Sequence, residues 1–283
     1  MTCYATLADA KDEQLANTTT DNGKLLQIIR QVSARVDGVF KVRRPLFQPY
    51  IENRQWQLER EHINSWDNTF WFSVPLLALT SVQVGDDVLT VGSTADVWPS
   101  LLSPARYLRI DDCCQTWYDY CTSDCAPPLV NMGGIWGFHR DYSNAWLSVT
   151  TLAAAPNASV TSITVADVDG TDAYGRTPWI SAGALLRIDT EYLEVSATDI
   201  AANTATVRRG VNGSTAAAHN NGTAVEVWQT EDVIRRAVAR QSAFMYARRG
   251  AYESTSISDA GIVNFPSDLL AEFRASLGAY AYE

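Results

Sequence analysis

The chain changes its hydrophobic period twice, and this restricts the folds open to it. Across residues 20–40, Leu25, Ile28, Ile29, Val32, Val36 and Val39 recur at helical spacing. Across 231–249, Val233, Ile234, Ala237, Val238 and Met245 repeat the pattern, and a shorter stripe after Pro266 runs through Leu269, Leu270, Phe273 and Leu277. Between Pro45 and Trp228 the chain reads instead as short strands broken by Gly, Asn, Asp and Pro. Neither helical end can bury its apolar stripe alone, so the N- and C-terminal segments are expected to pack into one helical layer. The expected class is α+β, with a long β-rich middle projecting from that layer. Such a layout suits contact more than chemistry.

Charge narrows the partners. The net charge is −10, and residues 61–156 carry ten Asp/Glu against three Arg, while 1–60 carry seven against nine Lys/Arg. A protein that gains nucleic-acid affinity by counterion release needs a basic stripe, and only isolated pairs occur, such as Arg43-Arg44, Arg208-Arg209 and Arg248-Arg249. DNA near this chain would pass without being gripped. Arg outnumbers Lys 19 to three, which suits a subunit that assembles, because the planar guanidinium pairs carboxylates at interfaces. No apolar run approaches the ~20 residues that span a bilayer. The opening Met1-Thr2-Cys3-Tyr4-Ala5-Thr6 lacks the basic and apolar regions of a secretory signal, so folding in the cytosol is expected.

Local signals place the elements. Thr6-Leu7-Ala8-Asp9 reads as a capping box opening a helix to about Leu15. The turn at 17–21 caps the long helix, which Arg43-Arg44-Pro45 ends. Strands are expected over 48–60, 70–74 and 106–110, with a hairpin over 81–91 around Gly85-Asp86-Asp87. Ala153-Ala154-Ala155-Pro156-Asn157 resembles a linker. Beyond it, strand patterns at 159–165, 185–188, 191–196, 205–207 and 224–227 define a small all-β module at 157–228, inserted into a core of 1–156 plus 229–283. Thr230 is expected to cap the closing helix, and Gly250 to end it.

Motifs of chemistry are weak. Cys113, Cys114, Cys121 and Cys125 lack the paired knuckles of a zinc site, and reduced thiols are expected. His139-Arg140-Asp141 has the letters of a kinase catalytic loop without its other parts. Asp167-Val168-Asp169-Gly170-Thr171-Asp172 places its Gly too early for a helical calcium loop. His62, His139 and His219 fall in separate segments. Trp179 and Trp228 are expected to pack the module's core and not to form a sugar platform. No cofactor, metal or catalytic residue is expected.

Two passages carry a resemblance. The first joins Tyr4-Ala5-Thr6-Leu7-Ala8-Asp9, the 25–39 helix, Gly134-Ile135-Trp136-Gly137-Phe138-His139-Arg140-Asp141-Tyr142-Ser143-Asn144-Ala145-Trp146, and the closing helix with Phe265-Pro266-Ser267-Asp268-Leu269. It resembles the head–tail connector (adaptor, head-completion) proteins of tailed bacteriophages. The second, Val207-Arg208-Arg209-Gly210-Val211-Asn212-Gly213-Ser214-Thr215-Ala216-Ala217-Ala218-His219, is similar to a β-module phrase of phage structural proteins. The resemblance implies a virion protein, made in the host bacterial cytoplasm, that assembles as a usually dodecameric ring under the portal. The ring would continue the DNA channel and dock a tail terminator, stopper or tail-tube protein, while 157–228 could reach capsid or fibre proteins. On this reading Arg235, Arg236, Arg240, Phe265, Leu269, Phe273, Trp136 and His139 are candidate contact residues. The rival readings are a tail or baseplate component and a carbohydrate-binding or adhesin module.

Overall fold

The computed structural model describes residues 3–13, 21–57, 63–64, 69–92, 95–100, 104–111, 129–173, 175–248, 257–258, 261–262, 270–278 and 280. The expected α+β class is observed, with helices from both ends of the chain and two antiparallel sheets between them. The chain divides into two compact units. Pro45–Ala145 forms one; Met1–Arg44 and Trp146–Glu283 together form the other.

The described residues of the 45–145 unit form strands β1 (Tyr50–Gln57), β2 (Ile63–Asn64), β3 (Thr69–Val84), β4 (Asp87–Leu89), β5 (Val97–Pro99), β6 (Ala105–Ile110) and β7 (Leu129–Trp136), followed by a short 3-10 turn at Tyr142–Asn144. The path is β1-β7-β3-β6-β5, with β2 and β4 also paired to β3. The expected strand at 70–74 and the first arm of the 81–91 hairpin are one strand, since β3 runs through Pro75 by shifting register between Trp71 and Leu76. Proline is tolerated where a bulge already interrupts the ladder. The hairpin turn falls at Gly85, whose φ of 59° favours glycine. Phe70, Phe72, Leu76, Val82, Val84, Leu108, Val130, Met132 and Trp136 make its core.

In the second unit, α1 (Leu7–Asp12) opens on the expected capping box: Asp9 N–H donates to Thr6 Oγ1 at 3.2 Å, and the Asp9 carboxylate accepts from Thr6 N–H at 2.7 Å. Helix α2 (Asn22–Val39) buries Leu25, Leu26, Ile29, Val32 and Val36. It stops before Arg43-Arg44-Pro45, because Lys41 turns the chain at a φ of 54° and Val39 is already 53% exposed. Asp21 stands at the N-cap without a capping bond; its carboxylate accepts from the Tyr246 hydroxyl at 2.9 Å.

Strands β8 (Trp146–Thr151), β9 (Ser162–Thr164), β10 (Leu185–Ile188), β11 (Glu191–Asp199), β12 (Thr204–Arg208) and β13 (Ala224–Trp228) follow in the order β8-β13-β10-β11-β12-β9. A bridge between Leu152 and Val165 brings β9 back to β8, with Ala153 N–H on Thr164 O and Ala166 N–H on Thr151 O, both at 2.9 Å. The sheet thus closes into a small barrel around Leu152, Ile163, Ile180, Leu186, Ile188, Leu193, Val195 and Val225. The expected linker at 153–157 is part of that closure, and Pro156 is buried. The β module therefore begins at Trp146, not at 157.

Helix α3 (Asp232–Ala247) is the centre of the helical layer, touching α1, α2 and α4 (Ala271–Gly278). Between α3 and α4 lies a two-strand ladder of β14 (Ile257–Ser258) and β15 (Gly261–Ile262). Glu231, not Thr230, occupies the N-cap of α3, and Val233 faces outward at 45% exposure. The proposed end of this helix at Gly250 lies outside the described residues. The barrel is fastened to this layer through the first residues of the chain. Leu7 N–H donates to Ala182 O at 2.8 Å, Ala8 N–H to Ser181 Oγ at 3.2 Å, and Arg30 of α2 to Glu194 of β11 at 3.0 Å. Gly183, at a φ of 95°, admits the Ala5 carbonyl, which would stand 3.1 Å from a Cβ there. So 157–228 is not a self-contained insertion into a core of 1–156 and 229–283: barrel and helices share one unit.

Among the described residues no helix is long and apolar enough to cross a membrane.

Candidate functional site

The helical layer is locked by arginines on α3 that reach acids on α1 and α4. Arg235 donates to Asp9 at 2.5 Å and to Asp232 at 3.0 Å; Arg240 donates to Glu13 at 2.9 Å and to Glu272 at 2.6 Å. Burial, the largest single influence, would lower the proton affinity of Arg235, but the Asp9 and Asp232 carboxylates together outweigh it and hold the guanidinium above its ordinary range. For half-buried Arg240, hydrogen bonding to Glu13 acts in the same direction. Two further bonds tie the C-terminal segment down. The buried Gln241 side chain accepts from Leu270 N–H at 2.8 Å, and the Tyr280 hydroxyl donates to Glu231 at 3.2 Å. Phe273 is buried on α4. Both ends of the chain thus fold as mutual partners.

The candidate contact residues separate accordingly. Arg235, Arg240 and Phe273 come together inside the layer. Arg236 stays outward, its side chain 65% exposed and 3.6 Å from Glu13. Phe265 and Leu269 lie outside the described residues. Trp136 and His139 belong to the other unit. Trp136 fills its core, donating to Glu52 O at 2.9 Å with the Arg54 guanidinium 4.5 Å from its ring. His139 is half-buried and its Nδ1 accepts from Asp141 N–H at 3.1 Å. The loop it opens turns on Asp141, which accepts from Ser143 Oγ and Asn144 Nδ2, each at 2.8 Å. These bonds, that to Asn144 foremost, hold the exposed Asp141 carboxyl below its usual range. The loop borders a cavity of about 320 Å³ with Leu76, Leu77, Pro99, Ser100 and Ala105.

Several contributors escaped the sequence reading. Asp9 and Glu13 sit four residues apart and present two carboxylates to one arginine row; that spacing was a readable signal, though its partner lay more than two hundred residues away. In the 45–145 unit, Trp71 is 46% exposed and meets Tyr107 at 4.8 Å between centroids, on the sheet face opposite the core. Trp179 donates to Asp167 O at 3.1 Å, and Trp228 is buried against Trp146. Both rings serve packing. Among the described residues no three His, Cys, Asp or Glu side chains are grouped to hold a metal ion; Cys113, Cys114, Cys121 and Cys125 lie outside them.

No protein-family model matches the chain, and no curated protein matches it.

Proposed function

We propose that this chain is a structural subunit of a tailed-phage virion, a head–tail connector that forms a ring under the portal, continues the DNA channel and docks the tail. The observation that carries the reading is the helical layer: α1, α2, α3 and α4, drawn from both ends of the chain, close on one another, α3 reaching α1 and α4 through Arg235 and Arg240 and the N-cap of α2 through Tyr246. A rigid layer of this kind gives an assembling subunit a fixed frame, and in sequence a whole β unit is inserted between the segments that build it. The phrases at 134–146 and 207–219 support the family. Ring contacts fall to outward groups such as Arg236 and Val233, portal and tail proteins are the partners, and no catalytic step or cofactor is assigned. The excess of acid in 61–156 would keep a channel lining from holding DNA.

The test is co-expression with the portal protein, followed by affinity capture and native mass spectrometry. The expected result is a portal-bound ring whose yield drops about tenfold with Arg236→Glu, an interface charge reversal, while the monomer's melting temperature holds. A chain that never co-purifies with portal and is located by particle imaging on fibres or baseplate overturns the reading.

A further inference from the structure

The phrase at 207–219 folds as a strap across the barrel, and its anchor is a buried ionic cluster. Glu191, fully buried at the start of β11, accepts from Arg209 Nε at 2.9 Å and Gly210 N–H at 3.1 Å through Oε1. Its Oε2 accepts from Arg209 Nη2 at 2.6 Å and Ala217 N–H at 3.1 Å, and lies 2.8 Å from His219 Nε2. The other ring nitrogen, Nδ1, lies 2.8 Å from Asp189 Oδ2. The His219 side chain is 1% exposed, while that of Asp189 is 60% exposed. Arg209 further donates to the carbonyls of Asn157 and Val160, and His219 N–H to Pro156 O at 3.1 Å. The charged groups around the ring are therefore Asp189 from the β10–β11 turn, Glu191 from β11 and Arg209 from the end of β12; the 156–160 segment offers carbonyls.

Proton counting makes this cluster unusual. A neutral imidazole has one N–H and one lone pair. With a carboxylate oxygen 2.8 Å from each nitrogen, one contact would set lone pair against lone pair. With both carboxyls ionised, both are hydrogen bonds only when the ring carries two protons. We propose that the His219 ring, holding a proton on each nitrogen between Glu191 and Asp189, latches the 209–219 strap to the barrel, and that losing one of these protons frees the strap.

The sign follows from linkage. The latched state holds the proton and the freed strap does not need it, so latching is favoured at neutral pH and lost as pH rises. Glu191 limits the other side. Burial raises its proton affinity, but the Arg209 guanidinium, the Ala217 N–H and His219 outweigh this and hold its carboxyl below the usual range. Its contribution is present above the ordinary carboxylate range and is lost as pH falls.

The experiment uses the full chain labelled with ¹⁵N, reading the His219 ring nitrogens and the exchange of the Ala217 and His219 amides. Two protonated ring nitrogens are expected at neutral pH. Titration with base should convert one to a lone pair, and amide exchange should then rise about tenfold beyond its ordinary hydroxide dependence. In Asp189→Asn the new amide can donate to Nδ1, so a neutral ring satisfies both neighbours. Asn also tolerates the φ of 52° found at this position. That variant should show a singly protonated ring at neutral pH and no extra alkaline step. A wild-type ring with one proton at neutral pH, or an identical alkaline step in Asp189→Asn, overturns the proposal; should the variant not fold, the wild-type ring decides alone.

Discussion

At the scale of single residues, burial changes what a side chain can do. Cys3 is 3% exposed, packed near Gly183 and beside the Arg30–Glu194 pair. Burial, with the Glu194 carboxylate adding to it and Arg30 opposing, pushes its thiol up to about 12. The thiolate is the reactive form, so native protein treated with an alkylating reagent slightly above neutral pH should leave Cys3 unmodified in peptide mass spectrometry. Unfolded protein should label there fully. Because folding favours the neutral thiol, this stabilisation is complete below the ordinary thiol range and fades as pH climbs toward about 12. Glu191 is the opposite case, a buried charge with every oxygen partnered. Glu191→Gln leaves the Arg209 guanidinium without its counterion, and removing one partner of a buried pair costs about 3–5 kcal/mol. Chemical denaturation followed through Trp146 and Trp228, the rings at the barrel's edge, should register that loss.

At the scale of elements, β7 shows how one strand sets the geometry of its neighbours. It lies between β1 and β3, pairing Asn53 and Ser81 with Gly133, and Glu52 and Leu79 with Gly134. A Cβ on Gly134 would come within 2.5 Å of the Ala78 carbonyl, and one on Gly133 within 2.4 Å of Ser81 Oγ. The Gly133 neighbour is a rotatable hydroxyl and can yield; the Gly134 neighbour is backbone and cannot. Gly134→Ala should therefore destabilise the 45–145 unit by about 1–3 kcal/mol, the usual cost of overpacking, and by more than Gly133→Ala. Melting curves of the two variants give the comparison. The requirement explains Gly134 in a strand that otherwise follows an alternating apolar pattern.

At the scale of the whole molecule, the question is which parts can stand alone. The 45–145 unit holds its own core of Phe70, Leu76, Met132 and Trp136. The barrel and helices instead share the contacts of Leu7 with Ala182, Ala8 with Ser181 and Arg30 with Glu194. Deleting 157–228 removes three of the acceptors that hold α1 and α2 in place, so the helical layer should lose most of its helical circular dichroism. Deleting 45–145 and joining the flanks should spare it. A helical signal that survives loss of 157–228 would refute the shared unit.

Periodicity and local residue identity by themselves determined the helices, most strands, the Thr6 capping box and the turn at Gly85, because those depend on neighbours within a few residues. It also pointed to the pairing of the two ends, since an apolar stripe must be covered by something. Only the tertiary structure decided that the presumed linker at 153–157 closes a barrel, that β3 continues through Pro75, and that Arg235 and Arg240 are spent inside the layer while Arg236 is not. Those outcomes hang on contacts between residues distant in the chain, where an Arg and the carboxylate that answers it leave no mark on each other's local pattern.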